Sequence, residues 1–346
     1  MDVFALDDFE ALAKATLPPE TWAYISGGSW DEVSLAENVA AFSRRVLRPR
    51  VLIDVSAIDM STTLLGTRVS MPIGFAPAAL QGLAHPEGEV VPARVAGRTG
   101  LPYLLSTFSS RSIETVAAVG RGLRWFQLYV EKDRHLAERL VHRAAEAGFG
   151  AIVLTVDLPR PGYRERERRF PLTDVGAFGN TPKGTDGEDY GDFIGSTMDA
   201  SLSWRDLEWL RSLSPLPLVL KGILTPEDAR LAVEAGAAGI VVSNHGGRQL
   251  DRTPATIDAL EAVVAAVDGR AEVYLDGGVR RGTDVVSALA LGARAVFLGR
   301  PFLYALAAGG EAGVQRAVEL LRDELETAMA LLGCPTVAAI TRDRVG

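Results

Sequence analysis

The sequence predicts a TIM (β/α)8 barrel, eight parallel strands each followed by a helix. Short apolar runs ending in polar or glycine residues recur eight times, at 72–77, 103–108, 125–129, 151–157, 217–221, 239–245, 272–278 and 295–300. Helical patterns separate them, as at 133–147, 225–235 and 283–291, and several stop at a glycine (Gly148, Gly236, Gly292) suited to a left-handed cap. The segments 142–156, 231–243 and 289–299 also read as diverged copies of one helix–Gly–strand unit. A doubly wound open sheet is the fallback, weakened because no Gly-x-Gly-x-x-Gly follows an early strand.

Residues 1–70 precede the repeat as an N-terminal extension of the same single domain, helical at first and then extended through Arg48-Pro49-Arg50-Val51-Leu52-Ile53-Asp54. Thr225-Pro226-Glu227-Asp228 is a helix start, with an N-cap, proline at the first position and acids in the first turn. Strands four and five are spaced at about twice the norm, and residues 171–200 account for the excess. They hold six glycines and six acids against the single Lys183, without periodicity. They are expected to form a structureless, mobile lid over the catalytic end of the barrel.

Composition excludes several function classes. The 346 residues are 47% hydrophobic and carry a net charge of −8 with no basic stripe, which argues against a nucleic-acid partner. No apolar run approaches the ~18 residues that span a bilayer, so no membrane partner is expected. The first ten residues hold four acids and no basic region, unlike a signal peptide, and the chain reads as cytoplasmic. Cys334 is the single cysteine, expected to be a small buried hydrophobe, so neither a disulfide nor a thiolate cage can form. No metal site is expected.

Active sites of such barrels form at the C-terminal strand ends. Here those ends carry Ser106, Gln127 and Tyr129, Thr155 and Asp157, Lys221, Ser243 and His245, Asp276, and Gly299-Arg300. Gln127/Tyr129, Thr155/Asp157 and Ser243/His245 are each i, i+2 pairs, so each pair is expected to share one strand face. His245 in Ser-Asn-His-Gly-Gly-Arg-Gln-Leu-Asp (243–251) is a base near neutrality, with the permanently charged Arg248 three residues on. That combination suits holding a carboxylate while a proton moves one or two atoms away. Asp157 is available to orient the ring. Arg164, after a glycine turn, is the natural partner of Arg248 on one carboxylate, whereas 166–169 reads as a mostly solvated charged face. Asp276-Gly277-Gly278-Val279-Arg280 and Gly299-Arg300-Pro301 end strands seven and eight, the usual phosphate site of this fold. Lys221 is a cation suited to a developing anion or, alternatively, to a Schiff base. His85, His135 and His142 read as solvated.

Together these residues resemble the FMN-dependent 2-hydroxy acid oxidase family, the group of glycolate oxidase, lactate oxidase and mandelate dehydrogenase. The likeness runs from about Tyr24 to Cys334. It is carried by Arg48-Pro49-Arg50, Pro77-Ala78-Ala79, His85-Pro86-Glu87-Gly88-Glu89, Phe126-Gln127-Leu128-Tyr129, Leu154-Thr155-Val156-Asp157, residues 243–251 and residues 276–281. The resemblance implies that His245 takes the substrate proton as electrons pass to flavin N5, with Asp157 steadying the imidazolium. It implies that Arg164, Arg248 and Tyr24 bind the carboxylate and Tyr129 the hydroxyl. Ala76, Pro77, Ala78, Ser106, Gln127, Thr155, Lys221, Ser243, Asp276, Gly278, Arg280, Gly299 and Arg300 are implied to contact FMN.

The segment 171–200 lacks the hydrophobic stretch of quinone-linked members, so dioxygen is the expected acceptor, giving hydrogen peroxide. A dehydrogenase with a quinone or protein acceptor is the alternative. An FMN barrel isomerase and a non-catalytic phosphate-ligand binder are more remote. Phe108 stands where glycolate oxidases carry tryptophan, which favours an apolar side chain on the substrate and permits one larger than glycolate, and the resemblance implies an (S)-2-hydroxy acid. The resemblance also implies a homo-oligomer, a tetramer or octamer.

Overall fold

All eight apolar runs become strands of one closed parallel barrel in the computed structural model, which describes residues 2–119, 121–181, 185 and 187–346. In order they are Ile73–Phe75, Tyr103–Leu105, Arg124–Leu128, Ile152–Thr155, Leu218–Ile223, Gly239–Val242, Glu272–Asp276 and Ala295–Leu298. The eighth closes on the first through Val296↔Ile73. Strands covered on both faces read as unbroken apolar runs, as these do. Most are shorter than the runs that predict them. Tyr129, Asp157, Ser243 and His245 therefore lie just past their strands, and strict alternation does not by itself dictate where they point.

The helices follow their caps. The expected ranges settle as Arg134–Glu146, Pro226–Glu234 and Gly282–Ala290. Thr225 Oγ1 accepts from Asp228 N at 3.2 Å with Pro226 at the first position. A long segment, Arg300–Leu332, follows strand eight and bends at Gly309-Gly310.

The core has two parts. Inside the barrel, Leu104, Trp125, Val153, Val219, Val241, Tyr274 and Phe297 interdigitate in layers. A hairpin, Thr62–Leu64 paired with Thr67–Val69, plugs the N-terminal end with Leu64 and Val69. The larger part fills the space between strands and helices. Cys334 is fully buried, as expected.

The extension is helical over Asp8–Thr16, Pro19–Ser26 and Val33–Ser43, then extended. The expectation of a structureless lid over 171–200 is corrected. A helix spans Tyr190–Thr197, its N-cap Asp189 accepting from Gly191 N and Asp192 N. Phe178, Tyr190, Phe193, Ile194 and Met198 are buried. These apolar side chains meet across the segment rather than along it, so they leave no period in the sequence. Lys183 lies outside the described residues.

Candidate active site

A cleft enclosing about 1190 Å³ of empty space, open to solvent, lies at the C-terminal strand ends. Ser106, Tyr129, Lys221, His245 and Asp276 line it directly, whereas Gln127, Thr155, Asp157 and Ser243, expected at its wall, do not line it and support the residues that do, in two tiers. The lower tier is a buried network. Gln127 Nε2 donates to Thr155 Oγ1 at 3.0 Å, and Gln127 Oε1 accepts from Thr107 N. Lys221 Nζ donates to Ser243 Oγ at 3.1 Å and lies 3.3 Å from Asp276 Oδ2, while Ser243 Oγ donates to Asp276 Oδ1 at 2.6 Å. Lys221 is therefore no free amine awaiting a carbonyl. Asp276 balances its charge, and the ammonium still lines the cleft.

The upper tier is the proton-handling group. His245 Nδ1 meets Asp157 Oδ1 at 3.0 Å, and His245 Nε2 lies 3.4 Å from Tyr129 Oη. Bound to Asp157, Nδ1 carries the hydrogen, which leaves the Nε2 lone pair free to take a proton. His245 adopts φ +58°, a left-handed conformation uncommon for a residue with a Cβ, and its N–H donates to Ser243 Oγ. Gly222 makes room for the pair, since a Cβ there would meet Asp157 Cβ at 2.6 Å.

Burial holds the imidazole below the usual 6.5. Lys221 and Arg164 push the same way, while Asp157 opposes them. The carboxyl of Asp157 is also buried, which favours its neutral form, yet His245 and Lys221 outweigh burial and hold it below 3.8. Burial raises the Tyr129 phenol far above its ordinary range, so it stays a donor.

Two arginines line the same cleft. Arg248 stacks over Tyr24, 5.0 Å from Cζ to the ring centroid, and Nη1 donates to the carbonyls of Tyr24 and Gly27. Arg164 Nε donates to Arg248 O at 3.1 Å, and Nη2 to Gln249 Oε1 at 3.2 Å. The charged face expected over 166–169 is corrected at one residue. Glu167 is buried between the arginines, 3.0 Å from Arg248 Nη2 and 3.4 Å from Arg164 Nη1. In sequence it is one of several alternating charges, and nothing distinguishes it.

The phosphate-type end combines Gly277 and Gly278, at φ +98° and +86°, with Gly299, Arg280 and the start of the long helix at Arg300. Ala76, Pro77, Ala78 and Ser106 line the opposite wall. Two expectations change. Arg300 spends much of its guanidinium on backbone, donating to the carbonyls of Ile25, Gly246 and Gly27, and burial draws it down to about 10. Among the described residues two of its five N–H donors remain, beside its backbone amide at the helix start, and the residue still lines the cleft. Phe108 does not line the cleft. It lies beneath Tyr129, stacked at 5.6 Å, and is covered by Phe178, Tyr190 and Phe193.

Residues that sequence reasoning passed over complete the wall and its supports. Leu158, Tyr190 and Ile194 form an apolar flank, the last two from the inserted helix. Asn38 and Asn244 exchange amide hydrogen bonds of 2.8 and 2.9 Å, tying the extension to the 243–251 loop. Asn244 stood within the motif, but its partner lies 206 residues away.

The chain matches the model of a family described as FMN-dependent dehydrogenase over residues 13–346. It is 51% identical to glycolate oxidase 3 of Arabidopsis thaliana, across all of this chain and 96% of the relative. It is 53% identical to glycolate oxidase 1 of Oryza sativa subsp. indica, across 98% and 94%. A crystal structure of a mandelate oxidase superposes with a TM-score of 0.92 at 44% identity, covering 99% of this chain and 98% of that one. With these matches running the length of a barrel whose strand ends carry the predicted residues, the chain belongs to the FMN-dependent dehydrogenase family.

Proposed function

We propose that the protein oxidises an (S)-2-hydroxy acid to the 2-oxo acid, with dioxygen as acceptor and hydrogen peroxide as second product. The observation that carries this is the convergence on one cleft of His245, backed by Asp157 and Tyr129, with the Arg164–Arg248 pair. Relatives that are glycolate oxidases and neighbours that are mandelate oxidases support it.

The residues present fit FMN. Lys221 is the cation on the cleft wall, and the glycines of strands seven and eight with the helix start at Arg300 form an anion cradle. A Cβ at Gly299 would meet only Ala76, at 3.9 Å, and would otherwise fill open space in that cradle. Bound there, FMN would supply the acceptor for the C2 hydrogen together with its two electrons, and dioxygen would be the oxidant that regenerates it, leaving as hydrogen peroxide. His245 Nε2 takes up the proton released as the C2–OH becomes a carbonyl, and Asp157 stabilises the imidazolium. Tyr129 Oη, beside that nitrogen, is placed to hold the hydroxyl. Arg248, Arg164 and Tyr24 hold the carboxylate. The apolar flank of Leu158, Tyr190 and Ile194 favours a substrate side chain larger and less polar than that of glycolate.

The proposal extends to a cytoplasmic homo-oligomer, a tetramer or octamer. Supporting assembly, Val46, Val51, Leu52 and Ile53 of the extension are exposed beside Leu331, where Arg50 N donates to Leu332 O.

The test is anaerobic. Holoenzyme is mixed with glycolate, (S)-lactate, (S)-mandelate and a longer aliphatic 2-hydroxy acid, flavin absorbance is followed, and air is then admitted. Bleaching strongest with the apolar acids and prompt recolouring in air are expected. His245→Ala should retain FMN and reduce about 10²–10⁴-fold more slowly. Bleaching by none of the acids would overturn the reading.

A further inference from the structure

We infer that Glu167 is a specificity-determining member of the anion clamp, setting its net charge at +1 so that the site takes substrates with one carboxylate. The inference rests on the 2-hydroxy acid reading above. Two guanidiniums facing one cleft would carry +2, a match for a dianion. Glu167 lies between them, and its side chain is as buried as those it pairs, at 10% exposed against 9% for Arg164 and 14% for Arg248. One carboxylate against two arginines leaves a single positive charge. A bound monocarboxylate brings the cluster to zero, whereas a second carboxylate on the substrate would enter uncompensated, against the apolar flank of Leu158, Tyr190 and Ile194.

The hydrogen-bond count points the same way. Arg248 carries five N–H donors. Nη1 spends two on the carbonyls of Tyr24 and Gly27, and Nη2 spends one on Glu167. Among the described residues, that leaves Nε–H and one Nη2–H, the two donors on one edge of the guanidinium that suit a single carboxylate side-on. Arg164 spends Nε on Arg248 O, Nη1 on both oxygens of Glu167 and one Nη2 donor on Gln249. One donor remains. Three donors in all suit one carboxylate and leave none for a second. Glu167 therefore acts twice, by cancelling a charge and by turning the arginine edges that remain. It is a positioning residue, since the arginines stand between it and the substrate.

A merely structural role would weaken all anions alike, so the discriminating quantity is a ratio. Oxidised holoenzyme is titrated with propanoate and with malonate by calorimetry and by flavin absorbance, for the wild type, Glu167→Gln and Glu167→Asp. Glu167→Gln keeps the volume and one acceptor oxygen but removes the charge. It is expected to move the malonate-to-propanoate affinity ratio at least tenfold toward malonate, and anaerobic flavin reduction to gain on (S)-malate relative to (S)-lactate. Glu167→Asp keeps the charge and should keep the wild-type ratio, whatever happens to absolute affinity. An unchanged ratio in Glu167→Gln with FMN retained would overturn the inference, and so would an equal shift in both variants. If Glu167→Gln fails to fold, a shifted ratio in Glu167→Asp would still overturn it. A wild type that binds neither anion and is reduced by no 2-hydroxy acid would instead overturn the functional reading itself.

Discussion

At His245, burial and neighbouring charge compete. A buried imidazole loses solvation when it protonates, and Lys221 and Arg164 add repulsion, so the neutral base dominates at neutral pH. Asp157 supplies the opposing attraction. Its Oδ2 is buried without a hydrogen-bond partner among the described residues, so much of its carboxylate charge is left to act on the ring. The sign of the pH dependence follows. Activity needs neutral His245, so kcat/KM should be level above pH 6.5 and fall as the pH drops through the lowered histidine pKa. Asp157→Asn removes the carboxylate charge that raises that pKa. The acid limb should therefore move to lower pH, while the rate falls about 10²-fold or more because the imidazolium loses its counter-charge. Anaerobic flavin reduction followed against pH reads both, and a limb that moves upward would sink this account.

Single elements carry more than one task. Of the 243–251 loop, His245, Gly246 and Arg248 line the cleft, and Ser243 holds Lys221 and Asp276 beneath it. Asn244 pairs with Asn38, Gln249 Nε2 donates to the carbonyls of Asp157 and Arg160, and Asp251 accepts from Val33 N and Ser34 N at the start of a helix of the extension. The motif is thus equally a staple that seats residues 24–38 over the barrel mouth. The inserted helix Tyr190–Thr197 is held differently, by aromatic packing of Phe178 and Phe193 around Phe108, with Phe178 and Phe193 stacked at 5.4 Å. Phe193→Ala should leave a cavity in that cluster and cost about 3–5 kcal/mol of local packing. Hydrogen exchange should then accelerate over 187–198, with the barrel strands unchanged and KM for apolar acids raised. Exchange spread evenly over the whole chain would show that the helix is not a separately docked element.

For the whole molecule, the barrel closes its own sheet and offers no strand edge of its own to another chain, and the only other sheet among the described residues is the short hairpin at its N-terminal end. The patch of Val51, Leu52 and Ile53 beside Leu331 gathers exposed apolar surface, and it is the surface the proposed assembly would use. Leu52 is fully exposed at φ +59°, a conformation a leucine adopts at some cost. Leu52→Asp should shift sedimentation toward smaller species while FMN content and flavin reduction by substrate persist. An unchanged assembly would place the interface elsewhere.

The barrel was legible because fully covered strands must be apolar and helix stops need a residue tolerant of positive φ. Gly148, Gly236 and Gly292 sit at φ +77°, +81° and +101° where those stops were expected. The site was legible wherever a residue type has few other uses at a strand end, as with His245, Asp157 and Lys221. Only the tertiary structure could assign Glu167, Tyr190 and Asn38, tie the Arg300 side chain to distant carbonyls, and move Phe108 out of the cleft wall. Their roles depend on partners distant in sequence, up to 275 residues for the Arg300–Ile25 bond. A charge, an aromatic or an amide carries no mark of what it will meet. Periodicity records which face of an element is buried, whereas partnership is decided only when the chain closes.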